Sequence, residues 1–235
     1  MPRSGSSRRD WLVASYAGAA AFFALEAVAR EPGEASDLAA TENDQGTTGQ
    51  IVAAYGLAAG LPPMLRRLQA GRLPPMSGPA GVAVMTAGLA LRAWSMRTLG
   101  ADYSRTLRTT SGQTVVEYGP YRVIRHPGYL GSIMVWTGFA VTSGSAAAAL
   151  GIAALMGDAY SRRIAAEEAM LTSRFGSAYA EYSHVRKGLF PPSGDGPVTL
   201  PHRTLLPRRA RTLWRSSQWP PAALARRIDA HLGRQ

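Results

Sequence analysis

The chain contains no cysteine among its 235 residues. This absence excludes a disulfide framework, a thiolate nucleophile and a zinc or iron–sulfur centre held by cysteine. Charge is also scarce, at 17% of residues, and three long stretches carry none: 45–65, 73–91 and 128–157. A helix of about 20 apolar residues crosses a bilayer core about 30 Å thick, so these stretches predict membrane-spanning helices.

The expected fold class is therefore all-α: a polytopic integral membrane protein with about five transmembrane helices. The first apolar run, 11–29, follows basic residues and is interrupted only by Glu26. A cleaved twin-arginine export signal has a similar beginning and is the alternative for this run. We expect a retained helix, because Glu26 falls where an export signal is normally apolar.

Proline, glycine and serine mark the other helix ends. The second predicted span ends at Pro62-Pro63 and Arg66-Arg67. The third begins near Pro79, since proline suits the first turn of a helix. Ser143, Gly144 and Ser145 interrupt the last uncharged stretch and predict a C-terminal helical hairpin. Its second helix is expected to continue past Asp158 as a cytosolic helical extension.

The net charge of +11 is unevenly distributed. Residues 1–50 are expected to form an N-terminal transmembrane helix and an acidic loop, residues 51–191 the membrane core, and residues 192–235 a basic tail. From residue 201 onward, the sequence contains eight arginines and a single acidic residue, Asp229. Such a tail is typical of a segment on anionic membrane lipids or of a solvated, disordered end. Nothing resembles a nucleic-acid-binding fold.

A polar block at 119–131 precedes an apolar helix. Arg122 and Arg125, together with unpaired N–H groups at the helix start, favour binding of an anionic group. A positive-inside membrane anchor is the alternative for these arginines. Downstream, Glu167 and Glu168 are suited to a cationic ligand group or to a solvated helix face. Arg92, near the end of the third span, either reaches the interface or faces a polar cavity.

Several motifs in this order resemble the isoprenylcysteine carboxyl methyltransferase family and its bacterial relatives, and phospholipid N-methyltransferases share the pattern. The matching segments are Arg92-Ala93-Trp94 with Leu99-Gly100, Gly119-Pro120-Tyr121-Arg122, Arg125-His126-Pro127-Gly128-Tyr129-Leu130-Gly131, Glu167-Glu168-Ala169-Met170-Leu171, Phe175-Gly176, Tyr179 and Tyr182. They extend from about residue 81 to residue 191. A set of linked motifs is far more specific than a single Arg-His-Pro.

The resemblance implies S-adenosylmethionine as the cofactor, which would serve as the methyl donor. The implied donor contacts are Tyr121, Arg122, Arg125, His126, Pro127, Tyr129, Gly131, Glu167, Glu168 and Tyr179. Of these, the expected catalytic residues are Arg125, His126 and Glu168. No metal is expected. Tyr179 and Tyr182, which share an apolar stripe with Leu171 and Phe175, either close over the donor or pack as core.

The expected acceptor is a lipophilic small molecule or a lipid-modified acceptor, and the sequence indicates no oligomeric state. A thiolate or carboxylate acceptor needs no base, whereas an amine or phenol would need His126, Glu168 or Tyr129. The alternative function is an NADPH-dependent membrane sterol or steroid reductase, which shares the Arg-His-Pro block. Such reductases typically continue Asn-Tyr after the proline, whereas this chain has Gly128-Tyr129.

The expected location is the bacterial inner membrane. The active site should face the cytosol, where the donor is made, and five spans then place the N-terminus outside. The basic residues Arg3, Arg8 and Arg9 favour the opposite orientation of the N-terminus. If the segment 51–65 did not fully cross the membrane, a cytosolic active site and an internal N-terminus would be compatible.

Overall fold

The computed structural model describes residues 8–28, 44–68, 71–100, 103, 115–185 and 188, all within a compact unit of residues 1–191. These residues form six α-helices and a 3-10 turn, and no strand occurs among them, which confirms the all-α expectation. The helices are α1 (Arg8–Val28), α2 (Thr47–Arg67), α3 (Ser77–Leu99), α4 (Pro127–Thr142), α5 (Ala146–Phe175) and α6 (Ser177–Val185). The tail 192–235 lies outside the described residues, so its membrane role stays a prediction.

Helices α1 to α5 alternate in direction. A Cβ added to Gly78, at the start of α3, would lie 2.5 Å from Trp11, so the beginnings of α1 and α3 adjoin. Thr47, at the start of α2, accepts a hydrogen bond from Arg163, which lies far along α5. One end of the bundle thus holds the start of α1 and the turn 143–145, and we call it the hairpin end. The other holds residues 119–127 and the distal part of α5, and we call it the motif end.

The predicted hairpin is confirmed, since α4 ends at Thr142 and α5 begins at Ala146. The Ser145 side chain accepts a hydrogen bond from the Ala148 N–H at 3.2 Å and so caps α5. With 30 residues, α5 is about 45 Å long and extends beyond its neighbours at the motif end. The second span is predicted to end at Pro62-Pro63 and Arg66-Arg67, and α2 continues through both prolines and ends at Arg67.

Close approach between α3 and α4 depends on glycine. A Cβ at Gly88 would lie 2.6 Å from the Gly131 carbonyl oxygen, and one at Gly81 would lie 2.6 Å from the carbonyl oxygen of Gly138. Side chains at these positions would force the two backbones apart. Small residues of this kind are enriched where membrane helices pack, because apolar lipid supplies no hydrophobic drive between helices.

Aromatic side chains fill the centre of the bundle. Phe22 on α1 and Trp136 on α4 are fully buried, with ring centroids 5.7 Å apart in an edge-to-face arrangement. Tyr55 on α2 stacks on Trp136 at 5.2 Å, and its hydroxyl lies 2.5 Å from that of Tyr160 on α5. A buried ion pair between Asp44 and Arg163 also holds the beginning of α2 against α5.

One helix in the described part of the chain, α1 over residues Arg9–Val28, has both the length and the apolarity of a membrane span, with a mean hydropathy of 1.5. Helix α4 has 16 residues, fewer than the roughly 20 that a bilayer core requires. The count of five spans therefore stays a prediction.

Candidate functional site

A cavity of about 560 Å³ lies at the motif end. Such a volume suits a small-molecule ligand. One half is charged and aromatic; its lining includes Tyr121, Arg125, His126, Tyr129, Glu167, Tyr179 and Tyr182. The other half is largely apolar; its lining includes Phe23, Ile51, Val52, Ala59, Met96 and Leu99. The cavity can therefore hold a charged group and an apolar group side by side.

The turn at 119–127 carries the basic side chains to the start of α4. Gly119 has φ 61°, and a Cβ there would lie 2.8 Å from the Thr98 hydroxyl, so the chain needs glycine at this point. Pro127 is the first residue of α4, a position that suits its fixed φ and missing N–H. His126 therefore lies directly at the start of this helix, with 4% of its side chain exposed.

Two carboxylates from α5 meet this turn. His126 Nε2 lies 2.9 Å from Glu168 Oε1, and His126 Nδ1 lies 3.5 Å from Glu167 Oε2. Arg125 Nη1 contacts the same Glu168 oxygen at 3.2 Å. These four residues, which we call the charge cluster, bring together segments about 40 residues apart in sequence, as the motifs predict.

The charge cluster is electrically balanced. Burial alone would lower the pKa of His126, but hydrogen bonding and charge from Glu167 and Glu168 raise it to about 9. The hydrogen bond with His126 lowers the pKa of Glu168. Burial opposes ionisation of Glu167, yet His126 holds its pKa below the ordinary value. At neutral pH the cluster thus carries two positive and two negative charges.

Two buried polar atoms in this half of the cavity have no hydrogen-bond partner among the described residues, Arg125 Nε and the Tyr179 hydroxyl. A third, Glu167 Oε2, has only the 3.5 Å contact with His126 Nδ1, and all three residues line the cavity. Burial raises the pKa of Tyr179, so its hydroxyl is neutral at pH 7. Because unsatisfied buried polar groups are costly, a donor, an acceptor and a hydroxyl together indicate a polar ligand of mixed charge.

The predicted aromatic stripe also lines the cavity. Gly176, with φ 53°, ends α5, and α6 continues the stripe, so Leu171, Phe175, Tyr179 and Tyr182 all reach the same space. Tyr182 donates a hydrogen bond to the Tyr121 carbonyl oxygen at 3.0 Å. The Tyr129 ring lies parallel to the His126 ring, with centroids 5.7 Å apart.

Three predicted donor contacts occupy other surroundings. Arg122 is exposed, Pro127 is buried at the start of α4, and Gly131 is packed against Gly88 on α3. None of these three residues lines the cavity of the described chain, and neither does Glu168, which contacts the lining residues Arg125 and His126. Packing explains Pro127 and Gly131 without a cofactor, and their contact with a donor stays a prediction.

A second polar group in the cavity surrounds Arg92, for which the sequence left a polar cavity as one of two alternatives; its partners Glu26 and Tyr103 were not predicted. Arg92 faces the interior, where its Nε donates to Glu26 Oε1 and its Nη1 donates to Ser132 Oγ at 2.7 Å. Tyr103 donates to Glu26 Oε2 at 3.2 Å and accepts from Arg92 Nη2 at 3.2 Å. The sequence did hold a signal for this ion pair: Glu26 and Arg92 are charged residues in two separate apolar helices, and charges inside membrane helices usually pair with one another.

The helical fold of this chain is found in a solved protein. It is similar to a solved structure described as the eukaryotic intramembrane Ras methyltransferase ICMT (isoprenylcysteine carboxyl methyltransferase) without a monobody. The TM-score is 0.57 at 20% identity, over 75% of this chain and 64% of that one. At this identity the similarity shows the fold alone.

The sequence comparisons match part of the chain to one family. The model of the isoprenylcysteine carboxyl methyltransferase family matches residues 81–173, from α3 through most of α5. Two proteins described as "Probable protein-S-isoprenylcysteine O-methyltransferase", from Oryza sativa subsp. indica and subsp. japonica, are each 28% identical over 112 residues. The alignment covers 46% of this chain and 59% of each relative, so the chain spans about three fifths of their length. The resemblance indicated by the motifs is confirmed.

Proposed function

We propose that this protein is an S-adenosylmethionine-dependent integral membrane methyltransferase that acts on a lipophilic or membrane-associated acceptor. The observation that carries the proposal is the balanced charge cluster, whose Arg125 and Glu167 line one half of a cavity that is apolar in its other half. The match of residues 81–173 to a methyltransferase family supports it.

The charge cluster fits the amino-acid portion of this cofactor. S-Adenosylmethionine carries a carboxylate and an ammonium, for which Arg125 Nε and the Glu167 carboxylate are the complementary groups. The Tyr179 hydroxyl would donate to a further polar group of the donor. When bound, S-adenosylmethionine supplies a methyl group on a sulfonium. The cluster would contribute to the rate mainly by holding the reacting groups in line.

The charge cluster favours an acceptor that is already anionic. With a pKa of about 9, His126 is protonated at neutral pH, so it cannot accept a proton there. Glu168 has a lowered pKa and is already engaged by His126 and Arg125. A carboxylate or thiolate acceptor requires no base, and we therefore propose that class over an amine or phenol.

The apolar half is suited to an acceptor arriving from lipid. Phe23 on α1 and Val52 on α2 both line the cavity and are about half exposed, at 50% and 49%. The cavity therefore opens sideways between these two helices. An acceptor with an apolar chain could occupy this half while its polar end lies near Glu26, Arg92 and Tyr103. A lipid-modified acceptor is consistent with the names of the relatives.

The helix directions support the proposed topology. The start of α1 and the motif end lie at opposite ends of the bundle, and α2 runs its full 21 residues between them. Five crossings with a cytosolic motif end then place the start of α1 outside the inner membrane. In intact cells, an impermeant thiol reagent should label Met76→Cys and spare Glu117→Cys, both of which are exposed sites. The reverse labelling pattern would refute this topology.

A ligand panel tests the proposed function. S-Adenosylmethionine and S-adenosylhomocysteine should each raise the melting temperature of the purified protein, whereas NADPH should not. Glu168→Ala should lose the response, and Asp158→Asn, at an exposed position on the same helix, should keep it. A response to NADPH alone would overturn the proposal in favour of a reductase.

A further inference from the structure

Arg163 lies on α5, one helical turn before Glu167, and lines the same cavity. It belongs neither to the charge cluster nor to the segments that resemble the methyltransferase family. Its side chain is 3% exposed and forms a buried ion pair with Asp44, which precedes α2. A guanidinium buried to this extent is costly unless several acceptors surround it, so its contacts indicate what holds it there.

One side of Arg163 is fixed at the beginning of α2. Its Nη1 donates to the Asp44 carboxylate, to the Thr47 hydroxyl at 3.0 Å and to the Thr48 hydroxyl at 3.2 Å. Asp44 is itself held in place, because its carboxylate accepts from the Thr48 N–H at 3.1 Å and from the Thr48 hydroxyl at 2.6 Å. The guanidinium is therefore anchored to a second helix and has little freedom to rotate.

The other side of Arg163 faces the charge cluster. Its Nε donates to the Tyr129 hydroxyl at 3.4 Å. The Tyr129 hydroxyl in turn donates to the Glu167 carboxylate. Burial raises the pKa of Glu167, whereas His126, the Tyr129 hydroxyl and the Arg163 charge hold it below the ordinary value. Asp44, Arg163, Tyr129 and Glu167 thus form a continuous line of contacts from α2 to the charge cluster, which we call the Arg163 network.

The chemistry of the guanidinium sets the direction of the hydrogen bonds in this network. Contacts with the His126 and Tyr160 rings, at centroid distances of 5.7 and 5.0 Å, position the Tyr129 ring. They leave its hydroxyl proton free to turn, since a phenol both donates and accepts. The Arg163 Nε can only donate, so it occupies an acceptor position of this hydroxyl and leaves the proton for Glu167.

We propose that Arg163 is a positioning residue of the donor site, which directs the Tyr129 hydroxyl to Glu167 and so orients this carboxylate toward the donor ammonium. The proposal rests on the proposed function, in which Glu167 binds the ammonium of S-adenosylmethionine. Arg163 acts through Tyr129 and requires no contact with the donor. A carboxylate that is oriented before the donor arrives lowers the ordering cost of binding.

Arg163→Lys tests the proposal, because it keeps a positive charge beside Asp44 and removes Nε. Calorimetric titration of the purified full chain with S-adenosylhomocysteine, which carries the same ammonium, should show about fivefold weaker binding than the wild type, as expected for one lost hydrogen bond. The melting temperature should stay close to that of the wild type, since the buried charges remain paired. Undiminished affinity in folded Arg163→Lys would overturn the proposal.

The matched control is Arg162→Lys. This neighbouring arginine also pairs with an aspartate, Asp158, but both side chains are exposed. The substitution should change neither the affinity for S-adenosylhomocysteine nor the melting temperature. Equal weakening in Arg162→Lys and Arg163→Lys would overturn the proposal, because the loss would then not depend on the buried contacts.

A double-mutant cycle separates positioning from a purely structural role. Tyr129→Phe should weaken the binding of S-adenosylhomocysteine at least as much as Arg163→Lys does. Adding Arg163→Lys to Tyr129→Phe should cause no further loss, because Arg163 acts through the hydroxyl that Tyr129→Phe removes. Losses that multiply in the double variant would overturn the proposal, since Arg163 would then affect binding by another route.

A second variant covers the case in which Arg163→Lys does not fold. Asp44→Leu combined with Arg163→Met buries no charge and removes the same contact with Tyr129. Undiminished affinity for S-adenosylhomocysteine in this variant would refute the proposal. Absence of binding by the wild type would contradict the proposed function and this proposal with it, whereas equal binding by the wild type and by Arg163→Lys would contradict this proposal alone.

Discussion

The ion pair between Glu26 and Arg92 gives the sharpest test of the packing. Their side chains are 14% and 7% exposed, and Arg92 also donates to the Gly128 carbonyl at 2.9 Å and lies 5.2 Å from the centre of the Phe22 ring. Glu26→Gln keeps the size and one acceptor but leaves the guanidinium without its counter-charge. Breaking a buried ion pair costs about 3–5 kcal/mol of folding free energy. Because Glu26 adjoins the cavity, we expect the lower value, about 3 kcal/mol.

Reversible unfolding in mixed micelles measures this cost through a double-mutant cycle. Glu26→Leu combined with Arg92→Met should recover most of the stability lost in either single variant, since an apolar pair leaves no charge buried. Asp158→Asn is the matched control, because its pair with Arg162 is exposed, and it should cause no measurable change. If Glu26→Gln unfolds like the wild type, the pair is fully hydrated and the interior assignment of Arg92 is wrong.

Three further predictions concern the charge cluster, the helix packing and the aromatic stripe. The pKa of His126 is 6.5 in the unfolded chain and about 9 in the folded protein, so protonated His126 stabilises the fold by about 3 kcal/mol. This stabilisation is complete below pH 6.5 and is lost as the pH rises through 9. The melting temperature measured against pH should therefore fall over this range, and His126→Asn should remove that fall. Gly88→Ala should lower the melting temperature, because the added Cβ would push α3 away from α4. Gly151→Ala is the control, since a Cβ there would meet nothing within 4 Å, and it should leave the melting temperature unchanged. Equal effects of the two substitutions would refute the close packing of α3 and α4. Tyr179→Phe should weaken donor binding, measured by calorimetry, without reducing stability, because the Tyr179 hydroxyl has no hydrogen-bond partner in the described chain. Normal donor binding by this variant would show that Tyr179 only packs.

Local sequence patterns were sufficient to predict most helices. Uncharged stretches predicted α2 to α5, and Ser143–Ser145 predicted the hairpin, because polarity and turn chemistry act over a few residues. Helix α2 contains both Pro62 and Pro63 and ends at Arg67, since proline disfavours a helix interior without always ending the helix. The charge cluster was predicted from motifs on two segments, and the structure brings those segments together.

Contacts between distant segments were not predictable in this way. Glu26 and Arg92 are 66 positions apart, and Asp44 and Arg163 are 119 apart. Each charge alone allowed a local explanation, such as an arginine that reaches the interface. Gly131 was assigned to the donor site because it belongs to the motif, whereas its closest approach is to the backbone of α3. Only the packing of the helices distinguishes these alternatives.

Calorimetric titration with S-adenosylhomocysteine tests the central proposal most directly, because it needs no acceptor. The wild type should bind one equivalent, and Arg125→Ala should bind at least about tenfold more weakly, as expected for a lost charge-assisted hydrogen bond. Arg174→Gln, an exposed arginine on α5, should bind like the wild type. Undiminished affinity in a folded Arg125→Ala variant, or no binding by the wild type, would contradict a donor site at the charge cluster.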